Sequence, residues 1–187
     1  LKITTILLVL VVVAALLASQ FVFIIDQTQY AVVTRFGELQ RIYTTPGLKT
    51  KLPIVEQITR FDKRLLRVDV RTEPMPDRDA QFLEIDAYLR YRITDPKKFL
   101  LRLRDEFTAQ GRIANIVISE IRRVVAASDR TDIIGGISET QSDGTIIVVA
   151  KQDENGVPIR EALTKLVLKG ANAAVQSTDN DFGIVIT

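Results

Sequence analysis

A mostly apolar run without any charged residue occupies the first part of the chain, from Ile3 to Ile25. A helix of these 23 residues is roughly 34 Å long, slightly more than the ~30 Å hydrocarbon core of a bilayer. The pattern therefore predicts a single transmembrane helix, with residues 1–25 as the anchor of the chain.

A cleaved signal peptide is the alternative interpretation of this run, with Ile6 to Ala18 as its apolar core. It is disfavoured because Leu16-Leu17-Ala18 has Leu where a cleavage site needs a second small residue, two positions before Ala18, and because apolar sequence resumes at Phe21. Orientation is left open by the charges, since Lys2 lies on one side and Arg35 and Arg41 on the other.

After the anchor, the pattern is that of β-strands. A β-branched and aromatic run from Gln29 to Phe36 predicts a strand that ends at Gly37, and the run from Ile58 to Val70 predicts another. The prolines and glycine between them predict a loop over residues 46–55. From Leu83 to Thr94 apolar and polar residues alternate, which predicts a strand with one buried and one wet face in an antiparallel sheet.

The second half of the chain favours helices. Asp95-Pro96 has the residues of a helix start, and a stripe at helical spacing predicts a long helix from Phe107 to Ala127. Gly135-Gly136 ends that part, followed by a polar stretch at 138–144, a strand at 145–150 and a turn at 153–156. Pro158 begins a third helix whose predicted buried face contains Ile159, Ala162, Leu163, Leu166 and Val167, and residues 182–187 form a last strand. Strands first and helices later predict an α+β domain.

Composition and charge exclude several classes of function. The formal net charge is +2, too small for a surface that wraps nucleic acid. The sequence has no Cys and no His, which removes disulfides, thiol nucleophiles, structural zinc and His-based triads. No Ser has a Lys three positions on and no G-x-S-x-G is present. We therefore predict no catalytic, cofactor or metal site and no enzymatic activity.

Short motifs in a fixed order carry a family resemblance: Tyr30–Gly37, Pro46–Pro53, Phe61–Arg64 and Asp86–Pro96, all behind an N-terminal apolar run. In this order they resemble the stomatin/prohibitin/flotillin family (SPFH, or band 7), most closely its bacterial HflC branch. The motif residues are Arg35, Phe36, Gly37, Pro46, Gly47, Pro53, Asp62, Arg64, Asp86, Asp95 and Pro96. Lys49 stands where relatives often have His, which puts little in doubt because no catalytic role attaches to that position.

The resemblance implies an SPFH domain over residues 26–187, with an insertion near 138–157 and a coiled coil beyond this chain. It also implies a scaffold subunit that forms a ring or cage with HflK-type subunits and modulates a membrane protease of the FtsH type. The expected place is the bacterial inner membrane, with the N-terminus cytoplasmic and the bulk periplasmic. A stomatin-like organiser of membrane microdomains or channel regulator, without a protease partner, is the alternative, and a membrane-tethered hydrolase is a third.

Two surface hypotheses follow from the residues. In the loop over 46–55, Leu48, Leu52 and Ile54 are predicted to dip into the lipid headgroup layer, with Lys49 and Lys51 at phosphates. The alternative, that these apolar residues belong to the core, is equally open at this point. Arg122 and Arg123 are predicted to fix contacts between subunits.

Overall fold

The computed structural model describes residues 20–140, 146–153, 156–177 and 181–187, together with residues 3, 5, 7, 8, 10 and 11, which have helical backbone. From residue 20 on, the described strands are β1 (Val22–Ile25), β2 (Gln29–Arg35), β3 (Glu38–Tyr43), β4 (Gly47–Thr50), β5 (Glu56–Asp62), β6 (Leu66–Pro76), β7 (Phe82–Ile93), β8 (Gly136–Thr140), β9 (Ile146–Ala150) and β10 (Ile184–Ile186). The helices are α1 (Pro96–Leu103), α2 (Glu106–Ala126), α3 (Arg130–Ile134) and α4 (Ile159–Val175).

Strands β1 to β5 form a small unit of two sheets, β1–β4 and β3–β2–β5, with antiparallel pairing throughout. Because side chains alternate along a strand, β2 contributes to two cores. Ala31 and Val33 pack with Phe23 and Ile25 of β1, whereas Val32 belongs to the larger core on the other side. Strand β1 is therefore part of the folded domain.

The larger core lies between the sheet β10–β7–β6 and the helices. In β7 the inward residues Leu89, Tyr91 and Ile93 are buried, and Arg90 and Arg92 between them are exposed. The predicted alternation is thus confirmed, as is the antiparallel sheet of an α+β fold.

The predicted helix start at Asp95-Pro96 and the predicted helix over 107–127 are both confirmed. The Asp95 carboxylate accepts hydrogen bonds from the backbone N–H groups of Lys97 (2.9 Å) and Lys98 (3.3 Å), and Pro96 is the first residue of α1. Asp105 caps α2 in the same way, 2.7 Å from the Thr108 nitrogen. The buried stripe of α2 covers β6, and each large apolar side chain so buried contributes about 1.5–3 kcal/mol; it includes Ile113, Val117, Ile121, Val124 and Val125.

The predicted end of the transmembrane helix is wrong. Val22–Ile25 is a strand paired with Gly47–Thr50, and Phe23 and Ile25 are buried under β2. Residues 4, 6, 9 and 12–19 of the predicted helix lie outside the described residues. No helix among the described residues is both long enough and apolar enough to cross a bilayer.

Four further expectations need correction. Gly47–Thr50, predicted as loop, is the partner strand of β1, and the predicted strand over 58–70 is two strands separated by a turn at residues 63–65. In the predicted polar stretch after Gly136, residues up to Thr140 pair with β9, so the described part of the predicted insertion is a hairpin. Leu166, predicted to be buried, is exposed because α4 packs mainly through its last turns, at Ala171 and Val175.

Candidate membrane-binding surface

Apolar side chains are exposed together on the β1–β4 sheet. Ile24 and Leu48 are opposite each other in the register, and they are 69% and 67% exposed. Val22 lies on the same face of β1, because Phe23 and Ile25 point to the core. The side chains of this face are held in place by a backbone that is itself fixed by the core.

Two turns extend this apolar surface. Ile54, between β4 and β5, is fully exposed and has a φ of +72°. Phe36, in the turn between β2 and β3, is 89% exposed with a φ of +49°. These two residues line one cavity with Val22 and Val55. We call the exposed set the apolar rim: Phe21, Val22, Ile24, Phe36, Leu48, Leu52, Ile54 and Val55.

The backbone of the rim is strained where its side chains are most exposed. A left-handed φ is rare for residues other than Gly, and it is costly for a β-branched residue such as Ile54. Such conformations persist only where the surrounding contacts determine them, and they cluster at functional positions. The contacts that hold Ile54 come mainly from Glu56.

Glu56 is a buried carboxylate that ties the Ile54 turn to two strands. Its Oε1 accepts from Arg35 Nη2 at 3.1 Å, and Arg41 Nη2 donates to both oxygens at 2.8 and 2.7 Å. Its Oε2 also accepts from the Leu52 backbone N–H at 2.8 Å. The Leu52 hydrogen bond, with the two guanidinium groups, holds the pKa of the Glu56 carboxyl below its usual value despite burial. The carboxylate therefore stays charged at neutral pH and keeps the turn closed.

Basic groups lie beside the rim. Lys51 lines the cavities on either side of Glu56, and its backbone N–H donates to the Phe21 carbonyl at 2.8 Å. The Lys49 ammonium, by contrast, lies on the other face of β4, 5.4 Å from the centre of the Tyr43 ring. Arg35 and Arg41 remain partly exposed although both pair with Glu56. Apolar side chains bordered by cations suit the boundary between acyl chains and phosphate groups.

The structure brings four of the five residues of the membrane hypothesis to one surface. Leu48, Leu52 and Ile54 are exposed, so the alternative that placed them in the core is wrong. Lys51 lies beside them in the two cavities. Lys49, predicted to lie at phosphates with Lys51, is opposite the buried Phe23 and points to the other face of β4, because side chains alternate along a strand. Contact of this surface with a membrane remains a prediction.

The motif residues have structural roles where their contacts are seen. Arg35 pairs with Glu56, Phe36 and Gly37 form a turn with positive φ, and Gly47 begins β4 with a φ of +122°. Asp62 closes the turn after β5 by accepting from the Arg64 backbone N–H at 2.8 Å and from its side chain. Asp95 and Pro96 begin α1, Asp86 is exposed on β7, and Pro46 and Pro53 lie in the loops that flank β4.

The two arginines of the assembly hypothesis lie on α2, and both pair within the chain. Arg122 Nη2 is 2.9 Å from a Glu73 oxygen, and Arg123 Nη2 is 2.8 Å from a Glu120 oxygen. Both side chains are still more than half exposed. Their role between subunits remains a prediction.

Sequence reasoning missed Glu56, which holds the site together. One signal was available, because Glu56 is the only acidic residue between Glu38 and Asp62, in a segment that contains three basic residues before it. The contribution of Phe21 and Ile24 was hidden inside the apolar run.

Among the described residues, no group of three acidic side chains is placed to hold a metal ion.

Comparison with known families agrees with this architecture. The SPFH domain / Band 7 family matches residues 23–186, which begins within β1 and ends in β10. The chain belongs to the SPFH/Band 7 family. The SPFH domain here therefore includes β1, the last residues of the apolar run, together with the helices α1 to α4.

Its relatives include proteins named HflC. The HflC protein of Treponema pallidum is 29% identical over 181 residues, covering 88% of this chain and 53% of that protein. That of Borreliella burgdorferi is 26% identical over 182 residues, covering 95% of this chain and 56% of the relative. The Escherichia coli K12 protein named "Modulator of FtsH protease HflC" is 24% identical over 98 residues, covering 49% and 29%. The chain thus spans about half the length of the first two relatives.

Proposed function

We propose that the chain is a membrane-anchored, non-enzymatic scaffold subunit, which assembles into a ring or cage and modulates a membrane-bound AAA protease of the FtsH type. The observation that carries the membrane placement is the apolar rim, whose residues are exposed and bordered by cations at the end of the apolar run. The protease partner rests on the name of the Escherichia coli relative.

The apolar run, shortened by the residues of β1, is still long enough for a transmembrane helix. Gln20 and Phe21 are in a turn, so the run available for a helix is Ile3 to Ser19, which has 17 residues. As a helix it measures about 26 Å, at the short end of what spans the ~30 Å hydrocarbon core. Phe21 then lies at the interface, as the first residue of the apolar rim. The proposed location is the bacterial inner membrane, with the N-terminus in the cytoplasm and the domain in the periplasm.

Anchoring is tested by placing arginines in the apolar run. Replacing Val11 and Leu16 with Arg costs about 5–7 kcal/mol of insertion, so the variant is expected in the supernatant of carbonate-washed membranes. Thr44→Arg with Thr45→Arg adds the same charge to an exposed loop and is the matched control. A Val11/Leu16 variant that stays in the membrane pellet would show that the run is not the anchor.

Assembly and partners are tested on the full-length protein extracted in mild detergent. We expect large closed particles with HflK-type subunits, and mass spectrometry of the purified particles is expected to find an FtsH-type protease. Degradation of a membrane substrate by that protease is expected to change when the scaffold is added. Large particles without protease would favour the stomatin-like organiser, and a protein that stays monomeric with an HflK-type partner would contradict the scaffold itself.

A further inference from the structure

Next to the apolar rim, three cations and one anion line a pocket with a volume of 440 Å³. The cations are Arg35, Arg41 and Lys51, and the anion is Glu56. The pocket walls also include the hydroxyl residue Thr50 and the amide of Gln40. A site with two excess positive charges and hydroxyl and amide groups in its wall has the composition of an anion-binding site.

The two arginines have donors left after pairing with Glu56. Each uses only its Nη2 on the carboxylate, and the side chains are 39% and 44% exposed. A guanidinium has five N–H groups, so each arginine keeps donors for a second acceptor. Glu56 thus orients both guanidinium groups without using all their N–H donors.

The apolar part of the pocket indicates which kind of anion fits. Phe21 and Leu52, both members of the rim, line the same pocket as the arginines. The Lys51 backbone is hydrogen-bonded to Phe21, so this lysine is held at the end of the apolar run. A ligand that fills the pocket touches cations and rim side chains together, which suits an amphiphile with a phosphate group.

We propose that this pocket binds the phosphate group of an anionic phospholipid, with Arg35, Arg41 and Lys51 on the phosphate and the acyl chains along the rim. The proposal rests on the membrane placement proposed above. Because arginine forks bind phosphate oxygens in fixed geometry, the pocket holds one lipid molecule, in contrast to the diffuse attraction that any basic surface exerts on an anionic bilayer.

The experiment uses the full chain in a neutral, maltoside-type detergent. Native mass spectrometry measures the fraction that carries one bound molecule of phosphatidylglycerol, of phosphatidylcholine or of inorganic phosphate. We expect one phosphatidylglycerol to bind at least about tenfold more tightly than phosphatidylcholine, and inorganic phosphate to bind more weakly than either lipid. One basic group near a phosphate contributes about fivefold in affinity.

Lys51→Gln and Lys49→Gln provide a matched pair. Both remove one charge, two residues apart, but only Lys51 lines the pocket. We expect Lys51→Gln to weaken phosphatidylglycerol binding about fivefold and Lys49→Gln to leave it unchanged. Arg41→Lys, which keeps the charge but removes the fork, is expected to weaken binding too, and circular dichroism checks that each variant is folded.

Three results would overturn the proposal. Equal losses from the two lysine variants would mean diffuse charge attraction, and equal affinity for both lipids would mean no selection of the headgroup. Inorganic phosphate bound as tightly as phosphatidylglycerol would make this a site for free phosphate. Failure of the membrane placement itself is seen separately, as a wild-type chain released by the carbonate wash.

Discussion

The Arg122 guanidinium donates to the Glu73 carboxylate across 2.9 Å, which joins the long helix α2 to the strand β6 that it covers. The pair is about half exposed on the arginine side, so it contributes at most about 1 kcal/mol to stability. Its location on the outer edge of the helix–sheet layer leaves the rest of the guanidinium accessible to another subunit.

Reversing both arginines tests their part in assembly. Arg122→Glu with Arg123→Glu breaks two surface ion pairs, so we expect a folded domain with a loss of stability of at most about 2 kcal/mol. We expect the full-length variant to form small species instead of large particles, measured by sedimentation in mild detergent beside circular dichroism. Each interface of a closed ring repeats the lost contact, which makes assembly more sensitive than folding.

Lys165→Glu with Lys169→Glu is the control for charge. Lys165 also forms a surface ion pair, with Glu161 on α4 at 2.9 Å, and both lysines are exposed. We expect this variant to assemble normally. If the arginine variant is folded and still forms large particles, the two arginines have no role between subunits.

The two faces of β7 are expected to respond differently to the same substitution. Leu89→Asp puts a carboxylate into the core, where Leu89 is 5% exposed, and we expect a loss of more than about 3 kcal/mol. Arg90→Asp changes an exposed residue that lies opposite Arg67, so it replaces a like-charge pair and should stay within about 0.5 kcal/mol of wild type. Urea unfolding followed by circular dichroism measures both, and equal damage would mean that β7 is buried on both faces.

Glu56 makes stability depend on pH. Its folded pKa is lowered from the ordinary value of 4.5, so its stabilisation is complete above that value and is lost as the pH falls through the lowered pKa. We expect Glu56→Gln to melt at a lower temperature than wild type at pH 7, and the difference to shrink below pH 4.5. Melting temperatures from pH 3 to 7 test this, with Glu38→Gln, an exposed carboxylate on β3, as the control. A difference that stays constant over this range would mean that the charge of Glu56 does not stabilise the turn.

Two glycine-to-alanine substitutions are expected to have opposite effects. Gly183 has a φ of +66°, and a Cβ there would lie 2.5 Å from the Asp95 carbonyl oxygen. Its own carbonyl accepts from the Thr94 and Asp95 backbone N–H groups. Gly183→Ala is therefore expected to destabilise by about 2 kcal/mol or more.

Gly111 lies inside α2 with nothing within 4 Å of an added Cβ, so Gly111→Ala should stabilise by about 0.5–1 kcal/mol. Thermal unfolding distinguishes them, and two destabilising changes would mean that α2 is covered at Gly111.

The sequence pattern predicted those elements whose signal is local. In β7 the alternation is visible because one face meets water, and in α1 the Asp95-Pro96 pair marks the start. Strand β1 could not be recognised, because Val22–Ile25 continues an apolar run and hydropathy does not distinguish its last residues from a span. Strand β4 was missed for a different reason. Gly47–Thr50 has no strand pattern of its own, and its partner in the sheet is β1, which was itself not recognised.

The division of β5 from β6 had a local signal that was overlooked. Asp62 accepts from the backbone N–H two residues on, at Arg64, which is a turn typical of Asp without any Gly or Pro. Composition singles out Glu56 as a lone acid, but no local pattern indicates its partners, because Arg35, Arg41 and Leu52 meet it only after β2, β3 and β5 pair. Contacts that depend on three strands at once are not visible in a one-dimensional pattern.

The burial of Phe23 and Ile25 has a mechanical consequence. From Val22 on, the chain is clamped between β4 and the core, so little slack separates the apolar run from the folded domain. A load applied to the N-terminal segment along β1 acts in shear on all the β1–β4 hydrogen bonds at once, instead of opening them one by one. A force on the chain before Val22 is therefore expected to reach the core through the paired strand β1, without an intervening flexible loop among the described residues.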